Sequence, residues 1–360
     1  MHGGPWSATG GMRLGPAVSV RRVQTQTACP RVVDGPRLPP PRISDAEDGL
    51  PSPLPPFAMS LSRRRFVVRS VAAAAALPFV SPLASARGAA VRGRAEFTPI
   101  RRGVGYFTGR GGTIGYLESE AALVAVDAQF PEQAETFLAG LRERADAPGR
   151  GLDLLVNTHH HGDHTAGNAV LAPQAARHVA HDAVPGLQRA SASRSRNSDG
   201  QRYPSETFSR TWSADVGGEV VALRYHRPAH TAGDAVVHFE RADVVHMGDL
   251  VFNGRQPFID RGAGATVEGW MRTLETVHAD HSDGTVFVFG HAGDGFPVRG
   301  TRADLLTFRD FLDAARAAIT ARATEGASIA DIEGLVVPGF ETWGPAPARV
   351  VEPILAEFGD

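Results

Sequence analysis

A chain of 360 residues, 42% hydrophobic and 21% charged, has the balance of an ordinary globular protein and room for one sizeable core or two modest ones. Its formal net charge of −2 gives no sign of the basic face that nucleic-acid binding uses, so no nucleic-acid partner is expected. The single cysteine, Cys29, excludes an intrachain disulfide framework and a thiolate zinc site, so any metal would be held by imidazole and carboxylate.

Residues 1–58 carry Pro-rich clusters such as Gly35-Pro36-Arg37-Leu38-Pro39-Pro40-Pro41 and no sustained helical or strand period, which predicts disorder. Then come Arg63-Arg64-Arg65-Phe66, an apolar run from Val71 to Val80, and Ala84-Ser85-Ala86. A charged start, an apolar stretch and a small-residue cleavage site, in that order, make an export signal over 59–86. The Ser-Arg-Arg-x-Phe pattern resembles a twin-arginine signal, which implies the twin-arginine export machinery as a partner and a periplasmic or otherwise exported location. The apolar run is too short to span a bilayer, which takes about 20 residues, so no stable membrane insertion is expected once the signal is removed. A signal should begin a chain, so Met59 is the better start, and 1–58 reads as an over-extended gene start rather than a real extension. The mature chain then begins near Arg87 and reads as one domain over 87–360, closed by a helical segment over 301–360.

Within that domain, apolar runs at 112–117 and 122–127 predict closely spaced strands in a hairpin. Pro131–Ala145 has helical period, with Phe137, Leu138 and Leu141 on one face. Leu152–Thr158 reads as a buried strand that ends where the histidine run begins, and Thr165 onward reads as helix. The polar stretch Gln188–Thr211 is expected to be a loop or lid. Strands resume at 220–223, 235–239, 244–247 and 285–289. Thr301–Arg322 is an amphipathic helix with Leu305, Phe308, Leu312, Ala315 and Ile319 near one stripe.

The chemistry gathers at His159-His160-His161-Gly162-Asp163-His164. At a strand end side chains alternate, so His159 and His161 can point the same way and share one metal, while His160 points opposite. Asp163 and His164, past the turn, can face a second metal. Three further candidates each follow a predicted strand: His230 in Pro-Ala-His-Thr-Ala-Gly-Asp, Asp249 in His-Met-Gly-Asp, and His291 in Phe-Gly-His-Ala-Gly.

In this order the residues resemble the metallo-β-lactamase superfamily, over about Arg102 to Val298. The resemblance implies an α/β fold, an αββα four-layer sandwich of two mixed β-sheets flanked by helices. It also implies that His159, His161 and His230 hold one metal, that Asp163, His164 and His291 hold the other, and that Asp249 bridges them. Asp127 would orient the histidine loop without being a ligand. The implied cofactor is two Zn2+, with iron or manganese as alternatives. Such a pair lowers the pKa of a shared water from 15.7 to about 7, which would supply a bridging hydroxide as nucleophile. Asp163 is then both ligand and the best candidate to orient that nucleophile and carry its proton. His226 is a candidate donor to an oxyanion.

The reading favoured is a metal-dependent hydrolase of a small-molecule lactam, lactone, ester or thioester. A β-lactamase of the cysteine-free type is one alternative; the bridging Asp249 matches other hydrolase branches better. Phosphodiester cleavage is disfavoured by export and by the lack of basic excess. A persulfide dioxygenase or other iron-dependent redox member is the alternative from another class. The segments 188–211 and 252–266 are expected to set the substrate, with Trp212, Phe252 and Phe258 as possible pocket aromatics.

Overall fold

The computed structural model describes residues 95–195 and 200–358; the readings made over 1–58 and 59–86 lie outside them. The first half builds β1 (Glu96–Arg101), β2 (Val104–Thr108), β3 (Ile114–Glu118), β4 (Leu123–Val126), α1 (Pro131–Arg144), β5 (Leu154–Val156), α2 (Gly162–Thr165), α3 (Asn168–Leu171), β6 (His178–His181), α4 (Val184–Ser195) and β7 (Glu206–Phe208). The second half builds β8 (Thr211–Val216), β9 (Glu219–Tyr225), β10 (Ala235–Phe239), β11 (Val244–His246), β12 (Phe252–Asn253), α5 (Val267–Asp280), β13 (Val286–Val288), β14 (His291–Ala292), β15 (Arg299–Gly300), α6 (Arg302–Thr324), α7 (Ile329–Ile332) and α8 (Ala348–Phe358).

Strands β1 to β7 form one sheet in chain order, antiparallel from β1 to β4 and parallel from β4 to β7. A second sheet has the order β15-β13-β11-β10-β9-β8, with its one parallel pair at β11 and β13. β12 and β14 make a short parallel pair beside it.

The period of two along each strand sorts the apolar residues into layers. Val124, Val126, Leu154 and Val156 face Val221, Leu223, Val237 and Phe239 in the core between the sheets. Their neighbours Leu123, Ala125 and Leu155 face outward and are covered by Phe137, Leu138 and Leu141 of α1. On the other outer face, Val245, Phe287 and Phe289 are covered by Trp270 and Leu274 of α5 and by Phe308 and Phe311 of α6. Helix, sheet, sheet, helix is the four-layer α/β sandwich that the motif resemblance implied.

One expectation is corrected. The stretch 188–211 is not one loop: α4 runs through Ser195, and β7 and the start of β8 follow. Its run of Ser, Ala and Arg supplies helix formers but few apolar side chains, so no apolar stripe marks the helix. Strands β1, β2 and β6 and helix α5 were not read from the sequence. Pro99 in β1, Gly105 in β2 and Gly103 between them break the strand pattern. No helix among the described residues is long and apolar enough to cross a membrane.

Trp270 ties the second outer layer to the site. Its ring is fully buried and lies 5.2 Å from the ring of His230, and its indole N–H donates to the Leu250 carbonyl at 2.9 Å. Trp270→Phe removes that donor and leaves a buried carbonyl unpaired. The expected cost is about 1–3 kcal/mol, read as a shift of the urea midpoint at unchanged slope.

Candidate metal centre

The site lies where strands of both sheets end. Asp127 follows β4, the run 159–164 follows β5, His230 lies between β9 and β10, Asp249 follows β11 and His291 opens β14 after β13. Backbone hydrogen bonds lace these loops together. The Asp127 N–H donates to Val156 O at 2.7 Å, Ala128 to His164 O at 2.8 Å, Ala235 to Thr158 O at 2.8 Å and Gly290 to Gly248 O at 2.7 Å. Asp127 holds a left-handed backbone, φ 69°, and is completely buried.

The structure brings His159, His161, His230 and Asp249 into one group of mutually close ligand atoms and Asp163, His164 and His291 into a second. Every imidazole in them whose second nitrogen has a partner is fixed by it. Asp127 Oδ1 accepts from the Thr158 N–H at 2.8 Å, and its Oδ2 accepts from Thr158 Oγ1 at 2.7 Å and His164 Nδ1 at 2.8 Å. Since Thr158 Oγ1 donates to Asp127, it accepts from His159 Nδ1, 3.1 Å away. His230 Nδ1 donates to the Phe258 carbonyl at 2.9 Å, and His161 Nε2 donates to Asp260 Oδ2 at 2.9 Å.

With those protons assigned, the inward nitrogens of His159, His161 and His230 carry lone pairs. His161 Nδ1 lies 3.1 Å from His159 Nε2 and 3.0 Å from His230 Nε2. Asp249 Oδ2 is 3.8 and 3.6 Å from those two Nε2 atoms and 3.4 Å from His291 Nε2, while its Oδ1 is 3.0 Å from His164 Nε2. His291 Nε2 lies 3.1 Å from Asp163 Oδ2 and 3.4 Å from His164 Nε2. A buried convergence of acceptors is unfavourable unless a cation or protons sit between them. Nitrogens 2.0–2.1 Å from a tetrahedral zinc lie about 3.3 Å apart, close to these separations. The donor set therefore fits divalent cations, with Asp249 reaching both groups.

The electrostatics differ between the two groups. Burial, with His164 next to it, holds His159 well below its ordinary pKa, and burial with His161 beside it pushes His230 down to about 3. Burial would lower His291 and His164 too. Instead the Asp249 and Asp163 carboxylates carry His291 up to about 9, and Asp249, Asp127 and Asp163 hold His164 well above its ordinary value. Burial opposes ionisation of Asp163 and Asp249, but His164 and His291 keep Asp163 down at about 2 and Asp249 well below the carboxylate range.

Asp260 was missed in the sequence. It lies 99 residues from His161, in no motif, and its Oδ1 also accepts from the Ala263 N–H at 3.1 Å. Its hydrogen bond with His161 holds it below the usual carboxylate range. Asp234 closes the His230 turn by accepting from Thr231 N and Oγ1, each at 2.7 Å. His246 donates from Nε2 to Thr113 O at 3.1 Å and accepts from the Gly248 N–H at 3.1 Å, pinning the turn that carries Asp249. His226 is corrected: it is half-buried among Asp280, Arg224, Arg227 and His281, and burial lowers its pKa. Of the three aromatics, Phe252 is buried and stacks on His291 at 5.2 Å, Phe258 is 41% exposed beside His161 at 5.3 Å, and Trp212 packs under Arg177.

Comparison with known proteins gives this architecture its family. The model of the metallo-beta-lactamase superfamily matches residues 107–313, and the chain belongs to that superfamily. A 2,4-dinitroanisole O-demethylase subunit alpha from Nocardioides sp. is 30% identical over 144 residues, 38% of this chain and 40% of that protein. A hydroxyacylglutathione hydrolase from Gloeobacter violaceus is 30% identical over 165 residues, 44% of this chain and 54% of that protein. The chain thus spans about half the length of these curated relatives. Among solved structures, a metallo-beta-lactamase from Pontibacter korlensis aligns with TM-score 0.51 at 18% identity, over 61% of this chain and 99% of its own. A sec-alkyl sulfatase aligns with TM-score 0.56 at 13% identity, over 73% of this chain and 50% of its own.

Two predictions follow from this geometry. The His159, His161 and His230 group has at least two imidazoles already neutral, whereas His164 and His291 must lose protons before they can bind a cation. In equilibrium dialysis, zinc affinity at the Asp163, His164 and His291 group is expected to rise more steeply between about pH 6 and 8 than at the other group, with more protons released on binding. Equal pH dependence at the two groups would contradict it. The second concerns Gly112, whose absent side chain leaves room for His164: a Cβ there would fall inside the imidazole. Gly112→Ala is expected to lower zinc retention at the Asp163, His164 and His291 group by about 10–100-fold, as loss of a supporting contact does, and to leave the other group loaded.

Proposed function

We propose that this protein is a dinuclear zinc hydrolase that attacks the carbonyl of a lactam, lactone, ester or thioester. The observation that carries the reading is the convergence of His159, His161, His230 and Asp249 beside Asp163, His164 and His291, with protons held on the outward nitrogens. Two divalent cations bound there would bring the pKa of a shared water down to about 7 and polarise the substrate oxygen. His-rich ligation completed by carboxylates favours zinc, with iron or manganese as alternatives.

The chain's own groups divide the work. Asp249 spans the two groups and fixes their separation. Asp163, about a third exposed and ionised at neutral pH, is the carboxylate able to orient a nucleophilic water and accept its proton. Asp127, Thr158, Asp260 and the Phe258 carbonyl hold the imidazoles so that little reorganisation is needed when charge develops. The hydroxyacylglutathione hydrolase relative supports a thioester or ester carbonyl. The O-demethylase relative supports a second reading, cleavage of an aryl methyl ether. Neither relative is matched over its whole length, so both readings rest first on the site. Export through the twin-arginine machinery, from the segment 59–86, belongs to the same proposal and would place the reaction in the periplasm.

The test is a hydrolysis screen of nitrocefin, aryl esters, lactones, S-lactoylglutathione and 2,4-dinitroanisole with and without chelator, alongside metal analysis. Cleavage that disappears with chelator, returns with zinc, and falls more than about a hundredfold in His161→Ala is expected. Cleavage indifferent to both chelator and His161→Ala would refute the mechanism, and a coloured, iron-loaded protein would favour the redox alternative.

A further inference from the structure

The turn that carries the clustered ligands has a second face. A half-enclosed cavity of about 470 Å³ lies against it, bounded by His160, Gly162 and Ala169 on one side, by Phe130 and Pro131 at the start of α1, and by Gln188 of α4 opposite. That size falls within the range of roughly 300–1,000 Å³ usual for small-molecule sites.

Two side chains in the wall are only 2% exposed each, yet both ring nitrogens of His160 and both amide atoms of Gln188 lack a hydrogen-bond partner. Buried polar groups are almost always paired, so four such atoms on two residues of one cavity wall mark a place built for a missing partner. The carboxylate nearest to His160, that of Asp260, stands 3.7 Å from Nε2 and already accepts from His161. Among the described residues the cavity lining contains no Asp, Glu, Lys or Arg. A neutral imidazole and a carboxamide each offer one kind of donor and one kind of acceptor. Their natural complement is an uncharged group that both donates and accepts.

We propose that this cavity is a substrate compartment, in which His160 and Gln188 hold an uncharged, hydrogen-bonding arm of the molecule attacked at the centre, a carboxamide or hydroxylated group and not a carboxylate. The word substrate rests on the hydrolase reading; the binding site does not. The cavity stands beside the turn that holds His161 and Asp163, so an arm seated there would position the reacting group by its far end, as remote binding contacts do.

The experiment uses the full zinc-loaded chain and p-nitrophenyl esters of equal length whose acyl arms end in a primary carboxamide, a carboxylate or a methyl group. Their ether analogues, which lack the carbonyl and are monitored for release of p-nitrophenol, are titrated by calorimetry. The wild-type protein is expected to prefer the carboxamide arm at least tenfold, in kcat/KM and in ether binding. Gln188→Leu removes the amide at similar size, and Ala169→Leu fills the cavity without touching a polar group. Each should abolish the preference through KM while zinc content and turnover of the methyl-ended ester stay unchanged, and Ala169→Leu decides the matter if Gln188→Leu does not fold. Hydrolysis without arm preference, a preference for the carboxylate, or a preference that survives both substitutions would overturn the proposal and leave the cavity as a water pocket. Selective ether binding with no ester hydrolysed would keep the compartment and remove the hydrolase reading instead.

Discussion

Asp127 accepts three hydrogen bonds in a space closed to water, from the Thr158 N–H, the Thr158 hydroxyl and His164 Nδ1. Because the Thr158 hydroxyl is spent on that carboxylate, its oxygen must accept from His159. One side chain thereby chooses the tautomer of an imidazole in each half of the centre. Asp127 reaches this position from a left-handed backbone, an uncommon conformation for a residue with a Cβ, and the hydrogen bond from its N–H to Val156 ties that conformation to β5. The register of β4 against β5, Val126 on Val156, is what delivers the carboxylate to the histidine turn. Sheet pairing and site chemistry are in this sense one constraint.

The remaining ligands are held by separate handles. Asp260 fixes His161, the Phe258 carbonyl fixes His230, and Asp234 closes the turn on which His230 sits. All three approach from loops on the second-sheet side, while Asp127 acts from the first. The centre is therefore a seam between the edges of the two sheets. His164 and Asp163 stand on the first side and His291 and Asp249 on the second. A cation shared across that seam would stabilise the closed sandwich as well as serve chemistry, since ligands from both sheets must converge to bind it.

The sequence was most legible where the required spacing is local. His159, His161, Asp163 and His164 lie within six residues, although the turn begins after β5 ends at Val156, and His160 comes close to His161 and Asp260 rather than pointing away from both. Strongly periodic elements were equally plain: β10 has the bounds the alternation implied, and α1 and α6 differ at their ends by one or two residues. Asp260 was not legible, because nothing near it in the chain marks it and its meaning comes from a contact with His161 across 99 residues. The helix α5 was legible but passed over: Val267, Trp270, Leu274 and Val277 keep helical spacing behind Thr266, whose hydroxyl caps the helix. Where a residue's environment is made by distant chain, pattern gives the residue but not its role.

Helix α4 shows the converse, an element misread because its local pattern was faithful to an unusual environment. It lacks a strong apolar stripe, and its face bearing Gln188, Ser191 and Ala192, spaced by three and four, lines a cavity instead of a core. The cavity wall also includes His160, the middle member of the histidine triplet, which groups with His161 and Asp260 and not with the other clustered ligands. Its ring lies 4.4 Å from that of His161, and Asp260 is the carboxylate nearest to both, hydrogen-bonded to His161 and 3.7 Å from His160 Nε2. Asp260 thus stands close to both faces of this six-residue turn, bonded to His161 at 2.9 Å and 3.7 Å from His160.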